Sequence, residues 1–181
     1  MSSVSGEHMR PMPDDGAADH LPGLSLPDLS LPSTSGDDVV LSSLRRTVLY
    51  LYPMTGRPDV ALPDEWDLIP GARGCTAEAC AFRDHDADLR VAGASVYGLS
   101  SQSRAYQREA VSRLNLPFPL LSDERLQTAD VLRLPTFDVE GRHLFTRLTL
   151  VVSAGVIEHV FYPVFPPESH AEQVLTWLRE R

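Results

Sequence analysis

Residues Thr47 to Tyr52 (TVLYLY) form a β-favouring apolar run with no polar alternation. A strand with one wet face would alternate, so this run predicts a strand buried on both faces, inside a sheet covered from two sides. The rest of the chain supplies pieces for such a sheet. Ala94 to Leu99 reads as the next strand, and Gln102 to Leu114 as an amphipathic helix carrying Tyr106, Ala110, Val111 and Leu114. Phe118 to Leu121 predicts a short strand, Glu124 to Leu132 a short helix, and Arg147 to Val152 a β-branched strand. Val156 to Tyr162 follows the turn Ser153-Ala154-Gly155 closely enough to predict an antiparallel hairpin. The last helix begins near Pro167 and buries Val174, Leu175 and Leu178. Strands alternating with helices predict an α/β domain, a mixed central sheet flanked by helices.

With 181 residues the chain fits one domain plus a short extension. Residues 1–20 are rich in Ser, Pro, Asp and Gly and predict a mobile N-terminal arm; residues 21–181 carry the domain. From Leu21 to Pro32 the prolines at 22, 27 and 32 favour extended edge structure over helix, and Ser35-Gly36-Asp37 a turn. A net charge of −9 without any basic block argues against nucleic-acid and anionic-membrane partners. All 16 basic residues are arginine, which excludes Schiff-base and P-loop lysine chemistry. No secretory signal opens the sequence and no apolar run is long enough to span a bilayer, so a cytoplasmic address is expected.

Chemistry points to the two cysteines, Cys75 and Cys80. In a reducing compartment a close pair is catalytic or metal-binding more often than structural, although two small buried hydrophobes remain the plain alternative. Zinc is disfavoured, because C-x4-C has no second ligand pair and the six histidines are dispersed, reading as surface or satisfied polar residues. Pro53 to Gly74, with prolines at 53, 58, 63 and 70, is a long loop leading into Cys75. Beyond it the sequence turns Ala-rich, with Ala79, Phe82 and Leu89 on one helical face, so Cys75 falls at a helix N-terminus. Unpaired N–H groups there favour thiolate over thiol. Lowering a thiol pKa from about 8.5 to about 6 takes roughly 3.4 kcal/mol, more than the 0.3–1 kcal/mol of an exposed dipole, so an arginine helper is expected. Cysteines five apart on a helix have Cα atoms roughly 8–9 Å apart, beyond the usual disulfide reach of about 7 Å, so they bond only if the helix start unwinds. Trp66 and Tyr97 read as packing residues, and Asp84 to Asp88 as a solvated helix face.

Gly74 to Asp84 (GCTAEACAFRD) resembles the GCTxEACxFRD segment of peroxiredoxins of the PrxQ, or bacterioferritin comigratory protein, type. The resemblance runs over most of the chain: Pro27 to Pro32 and Gly36 to Leu41 resemble the family's PDFxLP and GxxVxL start, Leu116 to Asp123 resembles FPLLSD, and Arg147 to Leu150 resembles RxTF. It implies a thioredoxin-like fold, with Cys75 as peroxidatic cysteine, Cys80 as resolving cysteine and Arg147 as the arginine that stabilises the thiolate and polarises peroxide. The implied activity is antioxidant: reduction of hydrogen peroxide or organic hydroperoxides through a sulfenic acid and an intramolecular disulfide, with a thioredoxin-like dithiol as reductant. No cofactor or metal is implied, and the state implied is a monomer. Glu78 either holds an arginine in place or, more simply, makes a surface ion pair.

One departure stands out. The family's PxxxTxxC signature would put Pro and Thr where this sequence has Leu68 and Ala72. Because Tyr52-Pro53 still matches the strand end, an insertion between Pro53 and Cys75 is expected, with Thr55 either supplying the displaced hydroxyl or capping a turn, and Thr76 steadying the helix start. Two other readings use the same fold: a thiol–disulfide oxidoreductase, which lacks its C-x-x-C here, and a redox-sensing interaction protein whose disulfide only opens the helix. The role of the 56–73 loop stays open.

Overall fold

The computed structural model describes residues 11–181. In chain order the elements are β1 (Ser30–Leu31), β2 (Val39–Val40), β3 (Thr47–Leu51), α1 (Cys75–Val91), β4 (Ser95–Ser100), α2 (Arg104–Leu114) and β5 (Leu120–Ser122). They continue with α3 (Gln127–Leu132), β6 (Thr136–Val139), β7 (Arg142–Phe145), β8 (Leu148–Ser153), β9 (Val156–Phe161) and α4 (His170–Arg179). Five strands make a mixed sheet in the order β5-β4-β3-β8-β9. Its centre is the apolar run: β3 pairs parallel with β4 and antiparallel with β8, and all five of its residues are buried.

The period of two along β3 divides the core. Val48 and Tyr50, continued by Tyr52, face α1, α2 and α4 and pack with Phe82, Leu89, Ala110, Val174 and Leu175. Leu49 and Leu51 face the other way, against Leu99, Leu121, Leu150, Leu132 and the N-terminal Leu21, Leu26 and Leu31. Removing a leucine side chain from water contributes about 1.5–3 kcal/mol, so both faces of β3 hold the domain together. Extended structure over residues 21–32 is present at the sheet edge: Gly23 N–H donates to the Ile157 carbonyl at 2.8 Å, and Leu24 accepts from Ile157 N–H at 2.9 Å.

Several elements depart from the sequence expectation. The hairpin β6–β7 has no counterpart there; Asp138, Arg142 and His143 interrupt its apolar alternation, and its turn is Glu140-Gly141, both at positive φ, instead of Asn-Gly or Asp-Gly. Helix α3 starts at Gln127 instead of Glu124, because the Asp123 carboxylate accepts from the N–H groups of Gln127 (2.9 Å) and Thr128 (2.8 Å) and fixes the start there. Strand β5 begins at Leu120, two residues later than expected. Within the segment expected as a mobile arm, residues 1–10 lie outside the described residues, while Asp15 accepts from the Tyr162 hydroxyl at 2.8 Å, Ala18 is buried and His20 Nε2 lies 2.8 Å from the Leu132 carbonyl oxygen. Among the described residues no helix is long and apolar enough to cross a membrane.

Candidate active site

Cys75 is the first residue of α1. The chain reaches it through Gly74 at φ 106°, and a Cβ on Gly74 would lie 2.3 Å from Pro167 Cγ, so glycine is required both by the backbone and by the close approach of the segment leading into α4. Cys80 lies on the same helix, and both thiols are free. They differ in exposure: Cys75 is buried and Cys80 half-buried.

Arg147 closes the site from the residue before β8. Only 2% exposed, it donates from Nη2 to Cys75 Sγ at 3.0 Å, and also to the carbonyls of Ala72 (3.1 Å) and Arg73 (3.2 Å). Nη1 donates to Glu78 Oε1 at 2.8 Å. Glu78 is therefore no surface residue, as the simpler expectation had it. Three positions after Cys75, it occupies the same face of α1 and is fully buried, so its carboxylate meets the guanidinium inside the protein. Burying both ions is tolerable because they are paired and hydrogen-bonded.

Electrostatics around the thiol also depart from the expectation of a lowered pKa. Burial pushes the Cys75 thiol up, and the Glu78 charge adds to this; the Arg147 charge and hydrogen bond and the Met54 backbone pull down without prevailing. Burial likewise raises Glu78 to about 7 against the pull of Arg147. Arg147 itself is opposed by burial but held charged by Cys75 and Glu78, its pKa rising above the ordinary arginine value. Beneath the site His170, 1% exposed, is pushed down to about 4 by burial; its Nε2 lies 2.7 Å from Thr149 Oγ1, and Arg147 adds to the shift.

Thr55 is the expectation the geometry redirects. Its hydroxyl and its N–H both point to Gln102 Oε1, at 3.2 and 3.0 Å, and its carbonyl accepts from Tyr106 and Gln102. These bonds tie the strand end to α2 and to the residues just before it, and leave the thiol to other donors. Ala72 is fully buried and contributes its carbonyl oxygen, 3.6 Å from Cys75 Sγ, where the family's threonine would stand. The loop leading to Cys75 is packed: Trp66 and Ala72 are buried with Met54 and Leu144, and Arg113 donates to the Gly56 carbonyl at 2.8 Å. A cavity of about 410 Å³ opens between this loop, the start of α2 and β7, with Met54, Val60, Tyr106, Arg142 and Leu144 among its walls.

Two smaller expectations resolve here. Trp66 packs in the core as anticipated, and Asp86, placed on a solvated face, is instead 6% exposed and paired with Arg90 at 2.9 Å. The sequence does not reveal the carbonyls of Ala72 and Arg73, the Met54 backbone or Gln102, since backbone groups and a helper from the segment before α2 leave no local signature. The Cys75–Glu78 spacing did carry a signal, because residues three apart share a helix face.

The redoxin family model matches residues 21–175. Peroxiredoxin Q, chloroplastic, of Oryza sativa subsp. japonica is 33% identical over 160 residues, covering 87% of this chain and 66% of the relative, so the chain spans just under two thirds of that plant protein. Peroxiredoxin Bcp of Escherichia coli (strain K12) is 32% identical over 165 residues, 85% of this chain and 92% of the relative. Among solved structures, peroxidoxin BcpB from Mycobacterium tuberculosis superposes with a TM-score of 0.71 at 27% identity, over 89% of this chain and 98% of that one. The fold is accordingly thioredoxin-like, and the chain belongs to the redoxin family and, within it, to the peroxiredoxins of the PrxQ/Bcp type.

Proposed function

We propose that this chain is a thiol-dependent peroxidase that reduces hydrogen peroxide or organic hydroperoxides in an atypical two-cysteine cycle. The observation that carries this reading is the buried Arg147 guanidinium donating to Cys75 Sγ at 3.0 Å, a permanent cation with several donors at the sulfur. Cys75 thiolate attacks one peroxide oxygen; the S–O bond forms, the O–O bond breaks and the departing oxygen gathers negative charge. Fixed donors near that charge act in the transition state, and the anchoring of Arg147 by Glu78 and two carbonyls removes its freedom to reorganise. The cavity beside Met54 has room for the organic part of a hydroperoxide.

Cys80 then resolves the sulfenic acid to a disulfide, releasing water. The two cysteines sit on one regular helix, so the first turn of α1 opens for this step, and a thioredoxin-like dithiol returns the pair to thiols. The cycle suits a reducing compartment such as the cytoplasm and is complete within one monomer. The test is peroxide consumption coupled to thioredoxin, thioredoxin reductase and NADPH. Many turnovers per protein, abolished in Cys75→Ser, are expected. One oxidation equivalent without turnover would favour a redox sensor, and disulfide reduction without peroxide consumption a thiol–disulfide oxidoreductase.

A further inference from the structure

Two acids in this site face a single cation. Arg147 Nη2 reaches Cys75 Sγ and Nη1 reaches Glu78 Oε1, with all three groups buried. Glu78 Oε2 has no hydrogen-bond partner among the described residues, and it is buried too. The other titratable groups turned toward this cluster are Tyr50 and Tyr52 from the end of β3, whose hydroxyls are also buried without partners, and His170 from α4. Burial holds both tyrosines and His170 in their neutral forms. Among the described residues, then, Arg147 is the one charge available to balance an anion here, and two ionised acids would leave a net negative charge out of reach of water.

We propose that Cys75 and Glu78 share one proton over Arg147, and that Cys75 becomes a thiolate by passing its proton to Glu78 Oε2 instead of to solvent. The S–H bond breaks and an O–H bond forms on the carboxyl; the guanidinium then serves the thiolate alone. In the peroxidase step on which this inference rests, the attacked oxygen keeps its hydrogen, the departing alkoxide or hydroxide takes up a proton, and Glu78 returns to carboxylate. One thiol proton ends on the alcohol or water, and the charge of the site is the same before and after. Glu78 is thus a positioning residue for Arg147 that also stores the proton. Burial raises both the thiol and the carboxyl, and the Glu78 charge raises the thiol further, so ionising both acids at once is opposed.

The test needs no peroxide, so its failure is distinguishable from failure of the peroxidase reading. In Cys80→Ser protein, thiolate ultraviolet absorbance and the infrared C=O stretch of a protonated carboxyl are followed against pH. Both signals are expected together near neutral pH. In Glu78→Gln, added to the same background, the carboxyl band disappears and the apparent thiol pKa falls by about 1–2 units, the size of a removed like charge at close range. In Cys75→Ser the carboxyl band is expected to fade at lower pH than in the parent, because no thiolate then competes with Glu78 for Arg147. A parent without the band, a thiol pKa unchanged or raised in Glu78→Gln, or a band that titrates unchanged in Cys75→Ser would each overturn the proposal. Because Cys75→Ser differs from the native protein by one atom, it decides the matter even if Glu78→Gln does not fold.

Discussion

Cys75 and Cys80 lie on one helix, yet their surroundings have little in common. Around Cys75 the protein is closed: the thiol is 4% exposed, an arginine is aimed at it, and a carboxylate and two carbonyls hold that arginine in place. Cys80 is half-buried, its neighbour Arg83 donates away from it to the Leu114 carbonyl at 2.8 Å, and no hydrogen bond fixes its sulfur among the described residues. A nucleophile that must meet a small oxidant profits from fixed donors, whereas a thiol that must travel to its partner profits from having none. In the proposed cycle the contrast fits one order of events: Cys75 reacts first, in place, and Cys80 second, after the helix start opens.

The strongest way to break the contrast is Arg147→Ala. Removing a donor aimed at developing charge is expected to slow Cys75 oxidation by about 10²–10³-fold, as for other such donors. The buried Glu78 loses its cation at the same time, which lowers stability by about 3–5 kcal/mol in denaturant melts. A less than tenfold rate loss would show that the closed surroundings of Cys75 do not serve its chemistry.

Acid sensitivity sharpens the comparison, because His170 belongs to the Cys75 side alone. Its pKa falls from about 6.5 unfolded to about 4 folded, so the unfolded chain takes up the proton first as pH drops. Stability is lost as pH falls from about 6.5 to about 4 and levels off below, by about 3 kcal/mol in all. Glu78 acts in the opposite sense: held up at about 7, it contributes stability that is present below its unfolded value of 4.5 and lost as pH rises through 7. The two windows overlap, so the difference between wild type and His170→Gln is the quantity to follow; a difference independent of pH would remove His170 from the account.

Gly74→Ala is expected to lower stability by about 1–3 kcal/mol, given the positive φ and the approach of Pro167. Thermal melts check this, and an unchanged midpoint would mean that the helix start is looser than its packing implies. The smallest effect belongs to Cys80→Ser: stability within about 0.5 kcal/mol of wild type, the range of substitutions that disturb no fixed contact, and an unchanged rate of Cys75 oxidation, with sulfenic acid in place of disulfide at the endpoint by mass.

How far the sequence carried can be read from individual residues. Thr47 to Leu51 is a strand because the β-favouring run of six residues from Thr47 to Tyr52 has few other uses, and GCTAEAC puts Cys75 at the helix start and Glu78 on its face. Whether Glu78 met water or Arg147 depended on residues far apart in the chain, and local spacing cannot decide burial. The long loop hid the fate of Thr55 for the same reason: Tyr106, which comes from α2, and Gln102, which lies just before it, hold it from far along the chain. The β6–β7 hairpin escaped because Asp138, Arg142 and His143 blur a pattern that shows only when one strand face is cleanly apolar. A lowered thiol pKa is what an arginine beside the sulfur suggests, and burial, which a sequence does not display, outweighs the arginine.

Stopped-flow oxidation of the fully reduced protein with one equivalent of peroxide, with intact mass and free thiols read at the endpoint, tests the central claim most directly. The account predicts rapid loss of both thiols and a mass lower by about 2 Da, as a disulfide requires. Oxidation no faster than that of free cysteine would contradict it, leaving a peroxiredoxin fold whose closed thiol serves something other than peroxide reduction.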